Sequence, residues 1–338
     1  MKKHIGRREF VKTVGAAAAA LAVGCARIPR TTGETAPKKR TLRIAHLTDI
    51  HLQPERDGEK WLTWCLHHVQ NLDDKPDIIF NSGDMIMDSL GADFQRTKIQ
   101  WDLWKKVWKN ECSLPVEHCL GNHDVWGWNR KESGATGKEP LYGKKYALEV
   151  LGLKRRFRSF QKSGWFFIFL DSTHPHEEDV YTAKLDEDQF QWLSTELARV
   201  QKHSPVCIFS HIPILSGSVF FDGKNEKTGN WVVPHRWMHI DARRLKDLFL
   251  KHPNVRLCLS GHVHLKDRVD YNGVTYLCNG AVCGGWWKRS YQETPPGYAL
   301  VNLYDDGSFD REYVTYGWKG EEKEVTFILD MDKVKIPV

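Results

Sequence analysis

Residues 41–51 read TLRIAHLTDIH. Leu42 to Leu47 is a β-prone run with no helical period, as expected of a strand buried in a sheet. It stops at Thr48, and Asp49 and His51 follow at once. Two metal-ligand types two residues apart on an extended segment can both bend towards one point past the strand end. The pattern recurs four times. DIIFNSGD (77–84), VEHCLGNHD (116–124), VCIFSH (206–211) and VRLCLSGHVH (255–264) each end a β-prone run in Asp, Asn or His.

Between these runs the spacing predicts helices over 59–72, 92–110, 186–201 and 241–251. Phe94, Trp101, Trp104 and Trp108 share one side of the second, and Phe190, Leu193 and Leu197 one side of the third. Trp61 and Trp64 also fall at helical spacing and read as core. WFFIFL (165–170) is apolar throughout and is expected to be a central strand. Alternating strands and helices imply sheets covered by helices. After His264 the pattern changes to strands over 268–277, 298–303 and 309–316. Turns are expected at Asn272-Gly273 and Asp306-Gly307. One α/β domain over residues 41–338 is expected, with its site where strand ends converge.

The chain has 338 residues, 41% hydrophobic and 27% charged, with a net charge of +6. The charge is mild and spread out, which argues against a nucleic-acid platform and against a nuclease with a basic track. Residues 1–26 read as an export address. GRREFVK (6–12) resembles the twin-arginine signal, and the apolar run Val14 to Val23 is too short to span a bilayer. Export through the twin-arginine machinery to the periplasm or cell envelope is expected. Ala22-Val23-Gly24-Cys25 resembles a lipoprotein cleavage site, although Ala22 stands where Leu is usual. Cys25 is therefore the candidate membrane lipid anchor, with ordinary cleavage as the alternative. Residues 27–40 read as a flexible tether. Seven cysteines follow Cys25 without CxxC spacing. They read as buried and reduced, above all Cys119, Cys207 and Cys258.

A single such histidine, His211 for example, is more often a core or capping residue than a ligand. The ordered series is what carries weight. Asp84 follows Gly83 in a tight turn, and its two oxygens can bridge two ions. Asn122 offers a neutral carbonyl oxygen. The expected result is two ions a few ångströms apart sharing an oxygen, an arrangement used for in-line displacement at phosphorus. Oxygen and imidazole donors without thiolate suit manganese, iron or zinc.

From Leu42 to at least Ala281, the series DxH, GD, GNHD, H and GHxH resembles the calcineurin-like metallophosphoesterase superfamily. It is most similar to the bacterial branch that includes class III cyclic-nucleotide phosphodiesterases. The resemblance implies a four-layer α/β/β/α sandwich of two mixed sheets flanked by helices. It implies that Asp49, His51 and His264 hold one metal, that Asp84 bridges, and that Asn122, His211 and His262 hold the other. It favours manganese or iron, divalent or trivalent. His123 would be the general acid, with Asp124, often Glu in the family, orienting it. The reaction implied is hydrolysis of a small phosphate mono- or diester by a metal-bridging hydroxide.

Two loops beside the motifs read as a substrate lip: Trp126, Trp128 and Arg130 in one, Trp286, Trp287 and Lys288 in the other. Stacking and phosphate binding suit Trp and Arg; a structural cover over the sheet end is the alternative. Phe220 to Pro234 reads as a third flap. The rival from another class is a metal-binding recognition protein without turnover. Loss of His123 or of a ligand would favour it, and none is lost.

Overall fold

The computed structural model describes residues 37–177 and 180–320, and its first strand, β1 (Arg40–Leu47), is the opening β-prone run. The export segment with Cys25, and the tether as far as residue 36, lie outside the described residues. β1 pairs in parallel with β2 (Ile78–Asn81), and β2 with β3 (Val116–His118). On its other side it pairs antiparallel with β12 (Tyr298–Tyr304), which turns back as β13 (Phe309–Val314). The five-stranded sheet runs β13-β12-β1-β2-β3.

The second sheet has six strands. β5 (Trp165–Phe169), β8 (Val206–Phe209), β9 (Val255–Ser260) and β11 (Val274–Asn279) are parallel neighbours. Antiparallel β4 (Arg158–Lys162) and β10 (Lys266–Tyr271) close the two edges. A small ribbon, β6 (Thr173–Pro175) and β7 (Tyr181–Ala183), stands apart.

Alternation along the strands makes the layers. Leu42 and Ile44 of β1, Phe167 and Phe169 of β5, and Leu257 and Leu259 of β9 share one core between the sheets. The opposite face of β1, with Ala45 and Leu47, packs on Leu62, Leu66 and Trp101 from α1 (Gly58–Gln70) and α2 (Phe94–Glu111). On the far side, Phe166 and Ile168 meet Leu193 and Leu197 of α5 (Glu187–Arg199) and Leu245 and Phe249 of α6 (Ala242–Leu250). The order is helix, sheet, sheet, helix. Two short helices, α3 (Arg130–Ser133) and α4 (Lys145–Val150), fill the excursion between β3 and β4.

Three expectations change. β4 covers the edge beside β5, so β5 is next to the edge rather than central, although all five of its residues are buried. RSFQK is only half-buried, which hides it as a strand. The late strands are not one series. The Asn272-Gly273 hairpin belongs to the second sheet, and the hairpin at Gly307 returns to the first. Trp64 is 56% exposed rather than core, with its indole N–H donating to Tyr316 O. Among the described residues the seven cysteines are free. Burial pushes the Cys119 thiol up to about 12, so it stays protonated.

Candidate metal centre

β1, β2 and β3 of one sheet and β8 and β9 of the other end at the same edge of the sandwich. Asp49, His51, Asp84, Asn122, His211, His262 and His264 leave those ends and meet there. All seven lie in the first residues past their strands. Reaching a common point bends the chain hard. Asp49, His51, Asp84, His262 and His264 all have positive φ, from 46° to 74°. For a residue with a Cβ this left-handed backbone costs roughly 1–2 kcal/mol each, and such strain collects at functional sites.

Each of the four histidines gives one nitrogen to a backbone carbonyl. His51 Nδ1 faces Met87 O at 3.3 Å, His211 Nδ1 faces Ser82 O at 3.0 Å, and His264 Nδ1 faces Gly284 O at 2.6 Å. His262 uses Nε2, at 2.9 Å from Arg236 O. A carbonyl only accepts, so each of these nitrogens carries the N–H and the other nitrogen is left with a lone pair. The remaining nitrogens converge. His51 Nε2 and His264 Nε2 stand 3.1 Å apart, and His262 Nδ1 stands 3.3 Å from His211 Nε2. Facing lone pairs repel unless a cation or a proton sits between them.

The carboxylates complete two overlapping groups. Asp84 Oδ2 lies 3.1 Å from His211 Nε2 and 3.6 Å from His51 Nε2, so one oxygen reaches both. Asp49 Oδ1 lies 3.5 Å from His264 Nε2 and is buried with no hydrogen-bond partner. Its other oxygen takes the Thr48 hydroxyl at 2.7 Å and the His262 amide at 2.8 Å. Asn122 Oδ1 is 3.1 Å from His211 Nε2. A buried orphan oxygen, a shared carboxylate and converging imidazoles fit two divalent cations.

Burial pulls His51 and His262 well down, towards the neutral ligand form, and pushes Asp49 up, towards an uncharged acid that a bound cation would ionise. Burial also opposes charge on His211, yet Asp84 outweighs it and raises His211 to about 9. A proton is held where a cation would sit.

His123 is half-buried beside this group, with its ring edge-on to His51 at 4.8 Å. Its amide donates to Asp84 Oδ1 at 2.8 Å, and its carbonyl accepts from the Ser89 amide and hydroxyl. Asp124 does not orient it. The Asp124 carboxylate accepts the backbone amides of Asp84, Met85 and Gly121 at 3.0, 2.9 and 2.8 Å, tying two ligand loops together. Burial, with Asp84 nearby, pushes Asp124 up to about 6. The carboxylate facing the His123 ring is Asp88, with Oδ1 at 3.3 Å from Nδ1. Burial works against charge on His123, but Asp84 and Asp88 together raise it to about 9. The sequence signal for Asp88 is slight: one more acid four residues past Asp84. Cys283, also unforeseen, lies beside His51 and His264. Its thiol faces Gly284 O at 3.5 Å, the carbonyl that also takes His264, and burial keeps it protonated.

The substrate lip is mostly structural. Trp126 is buried against Phe94 and Tyr142. Trp128 packs against Leu90, Val125 and Ile212, with the Lys144 ammonium over its ring. Arg130 lies over Tyr142 and bonds its hydroxyl. Trp287 is buried, and its indole N–H donates to His51 O at 2.9 Å. Lys288 lines a separate cavity with Arg56, Trp61 and Trp318. Trp286 alone of the six stands at the site, its ring 4.7 Å from His264 and 6.1 Å from His51. Trp286 and Trp287 both take left-handed backbone, at φ 54° and 59°. That turn sends one indole inward and the other over the centre.

Gly121 shows how little slack remains. A Cβ there would lie 2.1 Å from Asp84 Oδ1 and 2.2 Å from Asp84 N. Gly121→Ala is expected to displace Asp84 and weaken metal binding by roughly 10- to 100-fold, in the range of lost supporting contacts. Metal content after dialysis checks it; full retention with unchanged far-UV dichroism would show that the loop can yield.

Comparison with known proteins follows the same line. Residues 42–266 match a family model described as calcineurin-like phosphoesterase. A 3',5'-cyclic-nucleotide phosphodiesterase of Nostoc sp. is 23% identical over 284 residues, covering 80% of this chain and 91% of that protein. The 3',5'-cyclic adenosine monophosphate phosphodiesterase CpdA of Escherichia coli is 25% identical over 287 residues, covering 80% and 88%. A dimetal phosphatase from Danio rerio shares the fold at TM-score 0.55 and 14% identity, over 82% of this chain and 100% of that one. Purple acid phosphatase PPD1 from yellow lupin does so at 0.53 and 17%, over 81% and 51%.

Proposed function

This chain belongs to the calcineurin-like phosphoesterase family and is a hydrolase of phosphoester bonds, and from that premise we propose that it cleaves phosphate mono- or diesters at a two-metal centre, with His123 as the proton donor. The observation that carries this is the set of four histidines, each giving one nitrogen to a carbonyl and turning the other towards Asp84 or its neighbours. Asp49, His51 and His264 would hold one ion, and Asn122, His211 and His262 the other. Asp84 would serve both. Two divalent ions there would supply Lewis acidity at a phosphoryl oxygen and an activated water.

The chain's own groups do the rest. Asp88 Oδ1 lies 3.3 Å from Nδ1 of His123, an ion-pair contact rather than an aligned hydrogen bond, and leaves the other ring nitrogen to deliver a proton to the leaving oxygen. The hydrogen bond from the His123 amide to Asp84 sets the acid at a fixed distance from the ligands. Trp286 walls one side and favours a planar or sugar-like leaving group. Diesters, cyclic ones included, are the favoured class because two relatives carry that activity in their names. Manganese or iron is the favoured metal, with zinc the rival.

The test is reconstitution. Chelated protein is loaded with manganese, iron or zinc and assayed on bis(4-nitrophenyl) phosphate, 4-nitrophenyl phosphate and cyclic nucleotides. Turnover is expected to rise up to about two equivalents per chain, the stoichiometry of a two-metal site. Binding of two equivalents without hydrolysis of any ester would leave a recognition protein.

A further inference from the structure

The segment from Ser218 to Ile240 runs beside the metal centre and carries bulky apolar side chains facing solvent. Phe220, Phe221, Trp231 and Val232 are 36%, 62%, 52% and 60% exposed. Both phenyl rings set against Trp231, with centroids 5.7 and 5.9 Å away at steep angles. Soluble proteins seldom leave contiguous aromatic surface uncovered without a use for it.

This display is held in place. The Asn225 side-chain amide reaches the carbonyls of Val219, Phe220 and Asp222 at 2.9, 3.4 and 3.2 Å. The Val232 amide returns to Asn225 O, and Gln292 Nε2 holds Phe221 O at 3.1 Å. Asp222 accepts the Tyr291 hydroxyl, and the Tyr291 ring is 5.5 Å from His264. At the other end, Arg236 O accepts His262 Nε2. One end is therefore bonded to a histidine of the metal centre, and the other to Tyr291, which packs beside His264. Polar staples that fix aromatic rings outward resist collapse of those rings onto the body.

Lys224 and Lys227 stand exposed in the stretch between Phe221 and Trp231, with Glu226 exposed between them, and Arg236 is exposed at the base. Aromatic rings interleaved with lysines fit the boundary between acyl chains and anionic headgroups. We propose that this lip docks on an anionic lipid surface and sets the mouth of the metal centre against it. The docking is independent of the reaction the centre performs.

Hydrogen exchange of the full chain with phosphatidylglycerol-containing vesicles tests this locally. Amides of residues 220–232 are expected to slow on vesicles in the wild type and not in Phe221→Ser/Trp231→Ser. Vesicle partition of that variant is expected to weaken roughly tenfold or more. Lys224→Glu/Lys227→Glu should weaken by a similar factor on anionic vesicles and little on neutral ones. Turnover of soluble bis(4-nitrophenyl) phosphate should be unchanged in both variants. Unaltered exchange over 220–232 would overturn the proposal, even with the chain on the vesicle through its N-terminal apolar run. So would a dimer of the wild type, seen by light scattering, that the aromatic variant dissolves, since the partner would then be a second copy. A large loss of soluble-ester turnover would also overturn it and assign the rings to the substrate.

Discussion

Asp84→Asn is expected to abolish phosphoester turnover, by on the order of 10³-fold or about 4 kcal/mol of transition-state stabilisation, and to release bound metal with it. Asp84 is the only carboxylate among the described residues whose oxygen approaches His51 and His211 together. Burial alone would push its pKa up, but His211 and His123 hold it well below the usual range, so it stays ionised. The charge is what the substitution removes. Asn can still accept the His123 amide through its carbonyl oxygen, so the loop should keep its shape. Elemental analysis and kinetics on the same sample check the pairing. Metal loss with activity intact, or activity loss with two ions still bound, would take the shared carboxylate out of the account.

His123→Ala is expected to keep its metal and lose a factor of ~10² to 10⁴ in kcat, most with poor leaving groups, because proton donation matters most where the leaving oxygen is basic. Asp88→Asn separates positioning from donation. A general acid works protonated, so activity falls as pH rises through its pKa. Burial lowers the His123 pKa, Asp84 and Asp88 raise it, and the net is about 9. Bound cations would pull it down again, and removing the Asp88 charge moves it down in either case. The alkaline limb of kcat in Asp88→Asn should therefore shift to lower pH, with a loss at the optimum of roughly tenfold. An alkyl phosphate diester against a nitrophenyl one, each followed across pH, makes the comparison. An unshifted alkaline limb in Asp88→Asn would return Asp88 to a structural role. Full activity of His123→Ala on the alkyl ester would remove the acid altogether.

The two carboxylates near His123 show where sequence reading stops. Asp124 is its chain neighbour and looks like its partner, but the backbone turns and three amides claim that carboxylate. Asp88 is distant in sequence and arrives through the loop after β2. The tryptophans make the same point. In Trp126-Gly-Trp128 and in Trp286-Trp287, composition is equal on both sides of each pair, yet burial separates them. Side-chain direction depends on which surface lies opposite, and no local pattern holds that information.

The amino-acid sequence determined the ligand-bearing strands, the four long helices between them and the ligand types past each strand end. All of these follow from short-range periodicity and from where a β-prone run stops. Only the tertiary structure decided how those ends become a site. Positive φ at Asp49, His51, Asp84, His262 and His264 is a minority conformation even for Asp and His, which adopt it more readily than most residues. It persists because two sheets, packed through a shared core, bring their strand ends to one edge and fix both flanks of each turn. The same packing chose which nitrogen of each histidine meets a carbonyl, which carboxylate meets His123, and which indole stands over the centre. Each of those contacts joins residues far apart in the chain, and the distance between them exists only once the sandwich has closed.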